Sequence, residues 1–486
     1  VTGLGSQALA VVLAVPAAAA LLLALLPGYR AAARLNVAAC LATLAAALCL
    51  LGARPPAGPF LHVDDLNVVF IVLNTFVGFT TSAFSAGYIA HELETGRLTP
   101  TYLRFYHAMY QTLLFAMNVA LVANNVGLMW VAIEVATLTT VVMVGIYRTP
   151  EALEAAWKYF ILGSVGIALA LFGTTLVYLA AQPVVGQGLP AMAWTTLMTR
   201  AAAFDPALLD LAFVFLLLGY GTKVGLVPLH AWLPDAHAEG PTPISAVLSG
   251  LLLNIALYAL LRFKMLLAAN PDALAPGPLM VGLGLISVLF AAFMLYRRRD
   301  VKRMFAFSSI EHMGIITFAF GMGGPLANFA GLLHMTMHSL TKSAIFYGVG
   351  QAAQAKGTQR IADIGGLTET HPALGWGLVA GVVAIAGLPP MGIFMSEFLL
   401  VSSTFARAPW LALTLVAGLL VGFGALMLRL HSLAFGEPTT GRSQGDAPVR
   451  AGRLPMFAHL ALVLAAGIHL PGPLTAWFQH IAGLLG

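Results

Sequence analysis

Charge is what this chain has least of. Only 9% of its 486 residues are Asp, Glu, Lys or Arg, while 59% are hydrophobic. A water-soluble protein of this size could not cover its surface with so few charges, which excludes the soluble globular classes. Cysteine is nearly absent. Cys40 and Cys49 lie on one apolar stretch, and their number and spacing frame neither a disulfide scaffold nor a metal cluster. There is no Walker A loop, no nucleotide fingerprint after a strand, no CxxC pair and no convincing haem-ligand pair. The chain is therefore expected to carry no cofactor of its own, and its energy must come from an ion gradient or a partner. The first residues, VTGLGSQALAVVLAVP, have no basic n-region and no clear cleavage site, so a retained first span is expected.

Long apolar runs are what is present. They are about 18–25 residues long, the length a helix needs to cross ~30 Å of hydrocarbon. The ~10-residue alternating segments of a membrane barrel are missing. The fold class expected is an all-α polytopic membrane protein. Fourteen spans are predicted, at 7–26, 33–53, 66–89, 106–123, 126–147, 156–181, 208–229, 242–266, 277–296, 304–323, 326–350, 372–400, 409–434 and 456–470. The tail after 470 reads as a short interfacial helix or the end of the last span, with Trp477 suited to the headgroup boundary.

The net charge of +5 does not point to nucleic acid, because the cations fall mostly in short loops. Seventeen Lys and Arg lie in one set of loops, including Arg297–Arg299, Lys302, Arg303, Arg442 and Arg450; five lie in the other, namely Arg54, Arg200, Arg262, Lys264 and Arg407. Basic short loops stay in the cytoplasm, so both termini are expected on the other side of a cell inner membrane.

Four ionisable residues stand inside spans: Glu134, Lys223, Lys342 and Glu397. Each costs at least ~2.5–3.5 kcal/mol at bilayer depth, so four together call for a purpose. Buried ion pairs holding helices are the plain alternative. Proline gives the arrangement more content. Pro228 follows Lys223 and should free the carbonyl of Val224; Pro389 and Pro390 precede Glu397 and should free carbonyls near Ile385 and Ala386. Broken helices beside ionisable side chains are how transporters build ion sites near the bilayer midplane. The two broken spans are five apart in span order. That spacing predicts two five-helix units of inverted topology, spans 4–8 (106–266) and 9–13 (277–435), after helices 1–3 (1–105) and before a C-terminal helix (456–486).

His334, His338 and Lys342 recur every four residues on one helical stripe, a spacing that suits proton relay. HxxxH could hold a metal, but no third ligand is evident, so no metal is expected. Secondary candidates are Lys158, read chiefly as a snorkelling cation; Glu311 and His312, open between relay and polar packing; and His230 and His237, flanking the first break.

The segments KYFILGSVGIALALFG, KVGLVPLHAWLPDAHAEGPTPISAVLSG, DVKRMFAFSSIEHMG, HMTMHSLTKSAIFY and GLPPMGIFMSEF together resemble the antiporter-like subunits of the respiratory complex I superfamily. PDAHAEGPTPISAVLSG, SSIEHMG and PPMGIFMSEF are most similar to the membrane subunit of group 4 energy-converting hydrogenases, of the hydrogenase-4 or formate hydrogenlyase type. The resemblance implies fourteen helices with two inverted repeats, each containing one broken helix. It implies a glutamate–lysine pair at Glu134 and Lys223, a central lysine at Lys342 preceded by His334 and His338, and a terminal site at Glu397. It implies other membrane-arm subunits and a peripheral redox module as partners, the latter holding iron–sulfur clusters with nickel–iron or quinone chemistry. The ion moved would be a proton or sodium. One departure is Asn254, where many such proteins have a lysine; asparagine cannot titrate, so the two repeats must communicate by water, by His230 or by another route. The rival expectations are a subunit of a sodium/proton antiporter without redox partner, and a non-pumping scaffold or inorganic-carbon uptake subunit.

Overall fold

The computed structural model describes residues 2–437 and 452–486. Arg442 and Arg450, counted among the cytoplasmic cations, lie outside the described residues. The chain runs through α1 (Thr2–Leu25), α2 (Tyr29–Gly52), α3 (Asp65–Glu94), α4 (Pro100–Val122), α5 (Val126–Val144), α6 (Pro150–Val185), a short α7 (Trp194–Arg200) and α8 (Pro206–Val224). It continues with α9 (Leu233–Glu239), α10 (Thr242–Val247), a π-helical turn at Leu248–Leu252, α11 (Leu253–Ala268), α12 (Gly277–Leu295), α13 (Val301–Met322) and α14 (Gly324–Lys356). The last part holds the short α15 (Ile361–Ile364) and α16 (Leu367–Thr370), then α17 (Pro372–Ile385), α18 (Gly392–Arg407), α19 (Pro409–Leu430), α20 (Leu454–Ile468) and α21 (Gly472–Leu484). Helix stands at every one of the fourteen predicted spans, and among the described residues β pairing is limited to isolated bridges.

By length and apolar content ten of these helices can cross a membrane, or eleven if α20 and α21, bent by 80°, form one span. α14 is not among them; it carries His334, His338 and Lys342, and most of its length is buried among neighbouring helices.

Many helices start where the sequence supplies a cap. Asp64 accepts from the Asn67 backbone while Asn67 reaches back to Asp64; Asn125, Thr149, Asp205 and Asp300 cap α5, α6, α8 and α13 in the same sense. Pro150 and Pro206 follow their caps at the first helical position, where the missing N–H costs nothing.

The helices sort by burial. The stretch Thr242–Ala268 is wholly enclosed, and α13 nearly so, whereas only a third of α1 and of α19 is covered. The central helices are therefore α10, α11, α13 and α14, and among the described residues they hold most of the buried Asp, Glu, Lys, Arg and His side chains. Arg262 and Lys264 fall inside this enclosed stretch, not in the loop to which the charge count assigned them. Arg262 grips Asp64 with both guanidinium nitrogens, at 2.7 and 2.9 Å, and stacks on Trp194. Lys264 Nζ donates to the Leu485 carbonyl at 2.5 Å, which closes the end of α21. Trp477 on α21 donates to the Asp65 carbonyl at 3.1 Å and lies under Arg54, so protein contacts hold it in place.

Burial alone would push the Asp64 carboxyl up, but the Arg262 fork outweighs it and holds the group below its ordinary value. A carboxyl shifted in that direction stabilises the fold above its unfolded pKa of about 4 and loses that contribution as the pH falls through the folded value. Arg262→Ala leaves Asp64 uncompensated and should cost about 3 kcal/mol, read as a lowered unfolding midpoint at neutral pH. Asp64→Asn should lose less and should flatten the acid limb of the stability profile.

Candidate functional site

The first helix break lies earlier than its proline implied. α8 stops at Val224 because Gly225 turns left-handed, φ +82°, and its N–H closes onto the carbonyls of Gly221 and Thr222. Pro228 comes within the turn that follows, so it prevents the helix from resuming rather than ending it. The Thr222 carbonyl is also taken by the Trp232 indole at 2.8 Å, and Trp232 in turn stacks flat on Tyr159.

Lys223 thus sits in the last turn of α8, where the carbonyl end of a helix favours a cation. It is buried. Its Nζ donates to Thr137 Oγ1 at 2.9 Å and lies 3.5 Å from Glu134 Oε2. Glu134 and Thr137 are three apart on α5, so one helical face supplies both. Gly163 on α6 leaves the room: a Cβ there would approach Lys223 Nζ to 3.0 Å. The Glu134–Lys223 pair expected from the sequence is therefore a contact.

The second break separates α17 from α18. Gly387 is left-handed at φ +67°, Pro389 and Pro390 follow, and α18 begins at Gly392. Glu397 folds back so that its carboxylate covers Gly387, occupying the space a Cβ would need. A second carboxylate, Glu311 of α13, comes to the same place; Glu311, His312, Glu397, Ile385 and Ala386 line one small cavity. Its volume is about 20 Å³ for the centre of a water-sized sphere, room for about one water.

Three helices build this cluster. His312 Nδ1 lies 2.9 Å from His334 Nε2, and His334 Nδ1 lies 2.9 Å from Ser396 Oγ on α18. His338 stacks against His312 with centroids 5.7 Å apart, and among the described residues neither of its ring nitrogens has a hydrogen-bond partner. Lys342, fully buried, donates to the Phe305 carbonyl at 3.0 Å and faces the Phe305 ring. HxxxH is not completed as a ligand pair: His334 instead gathers with His312 and Glu397 of other helices, and His338 stands outside that group.

The remaining candidates are placed as follows. Asn254 donates to Ser339 Oγ at 2.6 Å, and Ser339 donates to the Gly250 carbonyl in the π-helical turn. Ser249 of that turn meets Ser309 at 2.7 Å, and Ser309 shares the Phe305 carbonyl with Lys342. Hydroxyls, not a titrating group, therefore lead from the middle of the bundle to Lys342. His237 is buried, stacked on Phe346, and Lys302 and Lys342 are the cations acting on it. His230 is set apart between Phe290 and Phe307. Lys158 is half exposed and bridges Glu154 at 2.6 Å and Asp235 at 3.0 Å, so it ties α6 to the first break at the surface.

Lys302 was missed. Read as part of a basic loop anchor, it is buried and donates to the carbonyls of Ala238 and Gly240 at 3.1 and 2.6 Å. Its neighbour Arg303 bridges Asp235 and Glu239. The signal available was Asp300, whose N-cap places Lys302 within the first turn of α13.

Comparison with known proteins agrees with this architecture. Residues 123–422 match the transmembrane family described as NADH:quinone oxidoreductase/Mrp antiporter. The hydrogenase-4 component F homolog of Methylacidiphilum infernorum is 62% identical over 98% of this chain and 99% of its own length. A Na(+)/H(+) antiporter subunit of Alkalihalophilus pseudofirmus is 25% identical, with 85% of this chain and 81% of that protein covered. A chain of the membrane-bound sulfane sulfur reductase, an archaeal respiratory membrane complex, superposes with a TM-score of 0.86 at 22% identity, covering 99% of this chain and 98% of the other, which establishes the shared fold. A polytopic helical chain with two broken helices and a family match over most of its length belongs to the NADH:quinone oxidoreductase/Mrp antiporter membrane-subunit family.

Proposed function

We propose that this chain is the ion-translocating, energy-coupling membrane subunit of a multi-subunit redox complex of the group 4 hydrogenase kind. One observation carries the proposal: the intramembrane ionisable groups turn toward the protein interior and gather into two clusters, each beside a broken helix. Lys223 pairs with Glu134 at 3.5 Å, and Lys342, His338, His334, His312, Glu311 and Glu397 group around the second break. The near full-length similarity to a hydrogenase-4 component F homolog supports the redox reading over a free-standing antiporter.

In this reading the Glu134–Lys223 pair exchanges a proton when its charges separate. His334 and His338 pass protons between Lys342 and the Glu311–Glu397 cavity, and Glu397 opens to the exit side. The partners would be other membrane-arm subunits and a peripheral module bearing iron–sulfur clusters with nickel–iron or quinone chemistry, in a cell inner membrane with both termini outside the cytoplasm. The segments 106–266 and 277–435 would be the two inverted units, after 1–105 and before 456–486. The similarity to an antiporter protein keeps sodium/proton exchange as the second reading.

Lys223→Ala and Glu397→Gln in the intact complex should each lower dye-monitored proton uptake by inverted vesicles about tenfold or more, a barrier of at least ~1.4 kcal/mol. Normal uptake in both would leave a scaffold role. Co-purification with a hydrogenase-like module supports the redox reading; small membrane partners alone support the antiporter. Gly387→Ala adds about 1–2 kcal/mol of left-handed strain and displaces the Glu397 carboxylate. Gly357→Ala adds similar strain at φ +65° in open space, so uptake should fall in the first variant and not in the second.

A further inference from the structure

The ring nitrogens of His312 and His334 and a carboxylate oxygen of Glu397 all lie within 4.8 Å of one another. They come from α13, α14 and α18, so the fold, not a local motif, assembles them. We propose that His312, His334 and Glu397 form a binding site for a divalent transition-metal ion of the zinc type, its fourth position filled by water or by Glu311 in the adjoining cavity.

Hydrogen bonding prepares the donors. Ser396 Oγ gives its proton to the Ile393 carbonyl at 2.7 Å, so toward His334 Nδ1, at 2.9 Å, it can only accept. Nδ1 of His334 therefore carries the hydrogen, and Nε2 presents its lone pair toward His312. Such an outer partner fixes the tautomer of a metal-binding histidine. His312 Nδ1 faces that lone pair at 2.9 Å. A cation between the rings would be held by His312 Nδ1 and His334 Nε2, with the His312 proton on its other ring nitrogen.

The two ring nitrogens already stand near a zinc-binding separation, and the Glu397 oxygen, within 4.8 Å of them, closes in by a side-chain movement. Zinc binds imidazole nitrogen at about 2.0–2.1 Å in tetrahedral sites. That places two nitrogens roughly 3.3 Å apart, against 2.9 Å between these two rings. Charge favours the same ion. Glu311 and Glu397 line one cavity, and Glu311 Oε2 is buried without a hydrogen-bond partner among the described residues. Two carboxylates around a dication sum to zero, the least costly balance in a low-dielectric interior. Two imidazoles select against magnesium and calcium, which prefer all-oxygen shells. The cavity has room for about one water as the fourth ligand.

Where the proton-path reading above holds, an occupied site would take both the His334 lone pair and the His312 proton out of the relay. Zinc would then inhibit transport. Binding itself does not rest on that reading and is measured without it.

The test is zinc binding to the full chain in lipid nanodiscs, by competition with a chromophoric chelator, with cobalt absorption as a second readout. One ion per chain is expected, with a tetrahedral cobalt spectrum. His312→Gln, His334→Gln and Glu397→Gln should each weaken zinc binding at least tenfold. Glu397→Gln is near-isosteric and keeps the test valid should a histidine variant fail to fold. His338→Gln and the surface variant His480→Gln should bind as the parent does. No bound metal would overturn the proposal. So would loss on His338→Gln with retention on His312→Gln, or loss only on His480→Gln. Zinc binding without inhibition of vesicle proton uptake would leave the site standing and count against the relay through His334.

Discussion

An ammonium group enclosed by helices must find oxygen close at hand, and this requirement shapes the centre of the molecule. Four lysines lie buried, and each reaches an acceptor: Lys223 a threonine hydroxyl and a carboxylate, Lys342 the Phe305 carbonyl, Lys302 the carbonyls of Ala238 and Gly240, Lys264 the carbonyl of Leu485. Leaving any of them unpaired in hydrocarbon would cost several kcal/mol. Some of these acceptors exist because a helix ends. Ala238 and Gly240 close α9 after the first break, and Leu485 follows the last turn of α21. Irregular backbone inside a membrane protein has to be covered, and here part of its cover is charge.

The same requirement distinguishes the two clusters. Around Lys223 the ion pair is short and local, with both acceptors on one face of α5. Around Lys342 no carboxylate of the described residues touches the amine. It donates to a backbone carbonyl, and Glu311 is a carboxylate whose charge reaches it without contact. A charge held by a neutral acceptor responds to a distant change more readily than one locked in a pair, which suits the second cluster to sense events at its neighbours.

Much of this was legible in the sequence. Apolar run length places helices at all fourteen predicted spans, because hydrocarbon thickness and helical rise leave little choice. Glu134 and Lys223 meet as expected. What periodicity could not give was the meeting of different helices. His312, Ser396 and Glu397 lie far from His334 in sequence, and only packing brings them to it. The charge count also placed Arg262, Lys264 and Lys302 in loops, since a cation near the end of an apolar run looks solvated until a partner such as Asp64 or Leu485 is seen. Pro228 was credited with ending α8, whereas Gly225 does so, because left-handed glycine stops a helix before proline can. Asn254 remains without a titrating substitute; a ladder of serine hydroxyls takes its place.

In the proposed path the two clusters are successive stages, joined through α11 and the hydroxyls of Ser249, Ser309 and Ser339. The most direct test compares proton uptake by the complex carrying Lys223→Met, Lys342→Met and both together. Stages in series predict that the double variant is no slower than the slower single variant. Losses that multiply would mean two independent paths and would contradict the account.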